Sequence, residues 1–218
     1  MLEADDRRGR EREETLPQSV YFDNAYFELT QLFSLAHQIH GIHEMCPTSI
    51  LEIGIGNGFV SDFFRKSGVP VITADINPAL KPDIVAPIKE LPQRMAGKRV
   101  DVVVCCEVLE HISLKELPKN IEVLRSLGDR LFLTLPNNRK SFGLSGILRF
   151  PKMRPKPWSF SFDLPRKKPL PPEHFWEIGH STASSEATVL RELRKHYGSV
   201  KAGRFTLNRY HRFYVAAA

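Results

Sequence analysis

Apolar residues fall along this chain in two rhythms. From Asp23 onward Tyr26, Phe27, Leu29, Leu32, Phe33, Ala36 and Ile39 recur at three- and four-residue spacing, which predicts an amphipathic helix that stops at Gly41. Beyond it, short runs that are apolar almost throughout alternate with helical stretches. Ser49 to Ile53, Val69 to Ala74, Asp83 to Ala86, Val100 to Cys106 and Arg130 to Leu135 read as strands. Phe59, Val60, Phe63 and Phe64 mark a helix ending at Gly68, and Leu117, Ile121, Leu124 and Leu127 mark another behind the capping-box pattern Ser113 to Glu116. Strands without polar alternation are buried on both faces, so the reading is an α/β sandwich with a parallel sheet between helical layers. The rhythm breaks after Pro136. Residues 137–172 hold seven of the 16 prolines together with Phe150, Trp158, Phe160 and Phe162, and the aromatics favour an ordered insertion over a linker. A helix over 184–197 and two strands, 199–206 and 209–217, follow; the short connection between the strands predicts an antiparallel hairpin.

Composition narrows the class. At 218 residues, 42% hydrophobic and 26% charged, the chain can bury one core. The expected organisation is a flexible arm over 1–18, whose first 14 residues carry ten charges, and a single domain over 19–218 with a basic, Pro-rich insertion at about 138–172. No apolar stretch approaches the roughly 18 residues of a membrane span, and the charged N-terminus cannot serve as a secretory signal, so a soluble cytoplasmic protein is expected. Three cysteines, two of them adjacent at Cys105 and Cys106, exclude a disulfide framework. The net charge of +6 is unevenly spread: residues 149–168 hold seven basic groups against Asp163 alone. Three readings of that segment stay open. It is a solvated loop, a lid that steers an anionic acceptor with cations such as Arg166, Lys167 and Lys168, or a contact for nucleic-acid phosphates.

The candidate chemistry begins at Glu52, Gly54, Ile55, Gly56, Asn57 and Gly58, where the first strand turns into a helix. Open α/β sheets bind ligands at such a point, and the glycines permit a tight turn and a close backbone approach. Asp75, 21 residues after Gly54 at the end of the second strand, can accept from two vicinal ribose hydroxyls. A dinucleotide fingerprint requires a small residue where Phe59 stands, which weakens the nicotinamide reading. Glu52 would repel a pyrophosphate and favours a ligand bearing an amine or sulfonium cation.

Taken together, Glu52 to Gly58, Asp75, the run Asp101 to His111 (Asp-Val-Val-Val-Cys-Cys-Glu-Val-Leu-Glu-His) and Leu133 to Asn137 resemble the successive motifs of class I S-adenosylmethionine-dependent methyltransferases of the small-molecule branch. The resemblance spans about Ile50 to Asn137. It implies a Rossmann-like three-layer sandwich with a seven-stranded, mostly parallel sheet of order 3-2-1-4-5-7-6, strand seven being antiparallel. It also implies that Gly54, Gly56 and Gly58 line the methionine part of S-adenosylmethionine, that Asp75 holds the ribose, and that Ile76 packs on the adenine. Cys106 and Glu107 would lie beside the methionine moiety, with His111 near. Pro87 and Ile88 stand where an acidic residue often meets the adenine amine, so adenine contact there falls to the backbone.

The expected activity is transfer of a methyl group to an oxygen or nitrogen of a small molecule, with an anion as one candidate; RNA methylation and a non-catalytic cofactor-binding partner protein are the alternatives. His111, Glu107 and His174 are the candidate bases. Either His111 serves the site or it is a satisfied structural histidine. Cys105 and Cys106 read as core, without the context of a cysteine nucleophile. The segment from Glu173 to His180 closes the acceptor cavity or simply packs; its His174 and His180 lie six apart, which suits a metal poorly, so no metal is expected. Oligomeric state is left open.

Overall fold

β1 (Ile50–Ile53) is buried at every residue, which requires a strand on each edge and a layer on each face. A computed structural model supplies both, describing residues 12–167 and 169–218, without the side chains of 165–167. The first eleven residues of the expected arm, and the side chains of Arg166, Lys167 and Lys168, lie outside the described residues.

β1 pairs in parallel with β2 (Val71–Asp75) and β4 (Val100–Cys106); β3 (Ile84–Val85) extends β2 and β5 (Gly128–Pro136) extends β4, again in parallel. The C-terminal hairpin of β8 (Ser199–Arg204) and β9 (His211–Ala217) adds itself antiparallel to β5. The seven-stranded order is β3-β2-β1-β4-β5-β9-β8, the architecture expected from the motifs. Parallel neighbours need crossovers, and the helices supply them. α1 (Leu29–His43) and α2 (Phe59–Lys66) cover one face through Leu35, Ile42, Val60 and Phe64. α3 (Leu91–Arg94), α4 (Leu117–Leu127) and α5 (Glu186–Arg194) cover the other through Leu91, Ile121, Leu124, Val189 and Leu193. Arg130 clamps Asp101 across β4 and β5 at 2.9 and 2.5 Å.

Four local expectations change. The leading helix begins at Leu29, after a 3-10 turn over Gln18–Phe22, and does not stop at Gly41. A β-carbon on Gly41 would sit 2.5 Å from the Phe132 ring, so this glycine lets the helix lie flat on the sheet and does not end it. The capping box does not form: Ser113 makes no side-chain cap, and Leu114–Glu116 is a 3-10 turn leading into α4, with Pro118 in the helix's first turn. The insertion is no loop but a two-stranded sheet of β6 (Arg139–Leu148) and β7 (Lys156–Lys167). Among the described residues no helix is long and apolar enough to cross a membrane.

Candidate active site

The carboxyl ends of β1, β2 and β4 open into a cavity of about 620 Å³. Gly54, Gly56 and Gly58 take φ of +78°, +50° and +75°, values that side chains resist. A β-carbon on Gly54 would collide with the Val108 side chain, and one on Gly56 would come to 3.6 Å from Tyr21. Gly58 starts α2, and Asn57 Oδ1 accepts from the Phe59 amide at 3.1 Å, which fixes the turn.

Two carboxylates define the nearer half of the cavity. Asp75 accepts from the amides of Ile55 and Asn77 at 2.9 Å each, which leaves a free lone pair on each oxygen for further donors. Burial nevertheless raises its carboxyl above the usual range. Glu52 is buried with Oε2 lacking any partner among the described residues, and burial pushes its carboxyl up to about 8. An unpartnered carboxylate in such a place invites a cation. Ile76, Pro87, Ile88 and Cys106 complete this half. Cys105 is core, and burial drives both thiols well above their ordinary values, so neither is an activated nucleophile.

The farther half is built from imidazoles and acids. His111 and His174 meet edge to face, with ring centroids 4.9 Å apart. His111 Nδ1 lies 3.2 Å from the Glu173 carbonyl; a carbonyl only accepts, so Nδ1 carries the proton and Nε2 is left basic. Burial, then the neighbouring His174, lowers His111 to about 4, so it is neutral at physiological pH. His174 Nδ1 donates to Glu177 Oε1 at 2.9 Å, which likewise leaves its Nε2 basic. The Glu177 carboxylate also accepts from Tyr210 at 2.8 Å and Asn138 at 3.0 Å; burial alone would raise it, but these donors hold it below the usual range.

Glu107, with φ +55°, accepts from Thr134 Oγ1 at 2.8 Å and lies 3.1 Å from His211 Nε2; burial would raise it, but the charge and hydrogen bond of His211 prevail and lower it. Glu110 is fully buried beside it, neither of its carboxyl oxygens has a well-formed hydrogen bond among the described residues, and it is pushed well up by burial and by the Glu107 charge. Glu107 is therefore the ionised member of this acid pair and Glu110 the protonated one, which makes Glu107 a support for His211 and a weak base toward an acceptor.

Glu110, His111 and His174 each bring one ligand-capable atom to within 4.8 Å of the others, a set able to take a divalent ion. His180 is outside that group. The expected role of the Glu173 to His180 segment divides: Glu173 and His174 line the cavity, while Trp176 is core, its indole N–H shared by the carbonyls of Leu109 and Ile112.

Of the predicted site residues all but Gly58 line this cavity, and Gly58 caps the helix that follows the glycine turn. The structure also adds residues the sequence did not single out: Glu110, Tyr210, His211, and a segment crossing the cavity. In that segment Arg12, Glu13, Leu16, Tyr21 and Tyr26 line the cavity, Arg12 Nη1 lies 3.1 Å from Glu173, and Asn77 Nδ2 donates to the Leu16 carbonyl at 2.8 Å. Arg12, Glu13 and Leu16, which fall in the stretch expected from sequence to be a flexible arm, here line the wall. The wall carries seven acidic side chains (Glu13, Glu52, Asp75, Glu107, Glu110, Glu116 and Glu173) and, as its Lys and Arg side chains, Arg12 and Lys89. No described cation of the insertion lines it.

A family model described as a methyltransferase domain matches residues 21–152. No curated protein matches the chain. Among solved structures, an S-adenosylmethionine-dependent methyltransferase from Archaeoglobus fulgidus superposes with TM-score 0.63 at 14% identity, covering 90% of this chain and 98% of that one. The magnesium protoporphyrin IX methyltransferase of Synechocystis PCC 6803 with bound S-adenosylmethionine gives TM-score 0.63 at 15% identity, covering 98% and 97%. The small RNA methyltransferase HEN1 gives 0.56 at 16%, covering 84% of this chain and 24% of that one. At these identities the likeness is one of fold.

Proposed function

The chain belongs to the methyltransferase-domain family, and from that premise we propose that it transfers the methyl group of S-adenosylmethionine to an oxygen or nitrogen of a small acceptor in the cytoplasm. The observation that carries the reading is one cavity with two chemically distinct halves: a glycine turn between two acidic groups, and the imidazoles of His111 and His174 in edge-to-face contact.

The residues present fit the cofactor. Asp75 has free lone pairs for ribose hydroxyls, Glu52 has a buried oxygen in want of a cation, and Gly54 keeps the turn clear where a β-carbon would collide with Val108. S-adenosylmethionine, when bound, supplies an electrophilic methyl on a sulfonium. The protein's own contribution is alignment and proton removal. His111 and His174 each hold a basic Nε2, and either can take the acceptor's proton as its oxygen or nitrogen forms the new bond to carbon. Glu177 supports a proton arriving on His174, since an ionised carboxylate already bonds its Nδ1–H. His211 and Glu107 brace the floor.

The acid-rich wall bears on the acceptor. An anionic group would be repelled inside the cavity, so an acceptor presents a neutral or cationic end there and keeps any negative charge outside. The same repulsion disfavours the RNA reading, because phosphates would have to stay beyond the mouth.

Titration calorimetry with S-adenosylhomocysteine tests the cofactor half. Wild type is expected to bind in the micromolar range, and Asp75→Ala to bind roughly 10–100-fold more weakly. Full affinity in that variant would remove Asp75 from the ribose site. Methyl gain by any member of a metabolite extract, lost in a His111→Ala/His174→Ala double variant that still binds S-adenosylhomocysteine, separates an enzyme from a non-catalytic binding partner.

A further inference from the structure

From Arg130 to Phe162 the chain has no aspartate or glutamate, yet from Arg139 to Lys156 it carries six cations. This stretch forms the β6–β7 hairpin, whose two strands pair with each other and not with the main sheet. Directly opposed residues of an antiparallel pair share a face. The register Phe142–Phe162, Leu144–Phe160, Gly146–Trp158 and Leu148–Lys156 therefore puts every aromatic side chain of the two strands on one side with Leu144 and Leu148, and Gly143, Ser145, Ser159 and Ser161 on the other, where Ile147 opposite Pro157 is the exception near the turn.

The serine side is the one turned to the protein. Ser145 Oγ donates to the Thr206 carbonyl at 2.9 Å, and Arg209 Nη1 donates to Ser159 Oγ at 3.1 Å. The aromatic side faces outward: Phe142, Leu144 and Phe160 are 61%, 66% and 64% exposed, and Phe162 packs on its neighbours Phe142 and Phe160 at 5.6 and 6.4 Å. A two-stranded sheet on a soluble body ordinarily buries its apolar face and wets its polar one; this hairpin does the reverse. The turn between the strands adds Phe150 and Met153, both exposed, among Arg149, Lys152 and Arg154.

We propose that this face docks on the surface of an anionic phospholipid bilayer, the aromatic side chains entering the headgroup boundary and the cations of the turn meeting lipid phosphates. Charge decides between a bilayer and a second copy of the chain. A symmetric pairing of the same face on itself would bring two sets of cations together, with no acidic residue between Arg130 and Phe162 to offset them. An anionic bilayer offers what both features need: a boundary for apolar and indole groups and a negative surface for lysines and arginines. The hairpin leaves β5 just past Asn137 and Asn138 and returns to Pro171, Glu173 and His174, which line the cavity, so a docked hairpin holds the cavity close to the bilayer.

The test uses the full chain with vesicles of phosphatidylcholine alone and with about one-third phosphatidylglycerol. The chain is expected to sediment with the anionic vesicles, weakly with the neutral ones, and to be released by high salt. Trp158 emission is expected to shift to the blue, while Trp176, buried in the core, stays constant as the second of the two tryptophans. Phe142→Ser/Phe160→Ser is expected to abolish the shift, and Lys152→Gln/Arg154→Gln/Lys156→Gln to lower the partition coefficient by on the order of a hundredfold. Circular dichroism and S-adenosylhomocysteine binding check that both variants fold. Equal sedimentation with neutral vesicles, no sedimentation at all, or an unaffected triple variant would each overturn the proposal. So would a dimer in solution that Phe160→Ser dissociates, which would give the face to a second copy, or an acidic protein that binds the hairpin while anionic vesicles do not.

Discussion

At the end of β1, Glu52 keeps Oε2 without a donor, and burial raises its carboxyl from an ordinary 4.5 to about 8. The unfolded chain gives up this proton near the lower value and the folded, ligand-free chain near the higher. The folded state therefore has its full advantage from this group below the lower value, and loses it as pH rises toward 8. Gln at this position has no proton to lose. Glu52→Gln is expected to melt at a higher temperature than wild type at pH 8 without ligand, with a gain on the order of a few kcal/mol that vanishes near pH 4. The same variant is expected to bind S-adenosylhomocysteine roughly 10–100-fold more weakly, because its neutral amide cannot pair with the ligand's ammonium. Melting curves across pH, with and without the ligand, read both effects. A wild type whose stability does not fall between pH 5 and 8 relative to the variant would show that Glu52 is ionised in the free protein.

At the scale of elements, Gly41 sets two effects against each other. Alanine would favour helix α1 by about 1 kcal/mol, but its methyl would enter the space of Phe132, an aromatic fixed in the core, at a cost of about 1–3 kcal/mol. Gly41→Ala is expected to lose stability on balance, with a melting temperature a few degrees lower by calorimetry; a rise would mean that the ring moves aside. Reading that glycine as a helix stop was the natural inference from sequence, because a close approach between a helix and a distant strand leaves no local trace. The same limit explains other differences. β1, β2, β4 and β5 were legible because a strand buried on both faces is written as one apolar run, and Glu52, Asp75 and the three glycines because they lie beside such runs. Tyr210 and His211 reach the site only through the antiparallel pairing of β9 with β5. The alternation of Phe142 with Leu144, and of Trp158, Phe160 and Phe162, was present in the sequence. It did not read as strands, because prolines and cations interrupt it and its apolar side faces away from the core.

Across the whole molecule, residue types are sorted by place: acidic side chains line the cavity, and cations gather on a hairpin that leaves the main sheet beside it. The composition announced the net charge of +6 but not this division, since the acids that form the wall are scattered from Glu13 to Glu173. The segment that crosses the cavity has a kinetic corollary. It is tied down by Asn77 to the Leu16 carbonyl and by Arg12 to Glu173, so departure of the spent nucleoside is expected to wait on the opening of those ties, and the chemical step need not be the slowest. Rapid-quench experiments are expected to show a burst of about one methylated product per protein before steady turnover begins. Asn77→Ala, which cuts the buried tie, is expected to shrink the burst by speeding the steady phase; a linear time course in the wild type would place the bottleneck at the bond-making step itself.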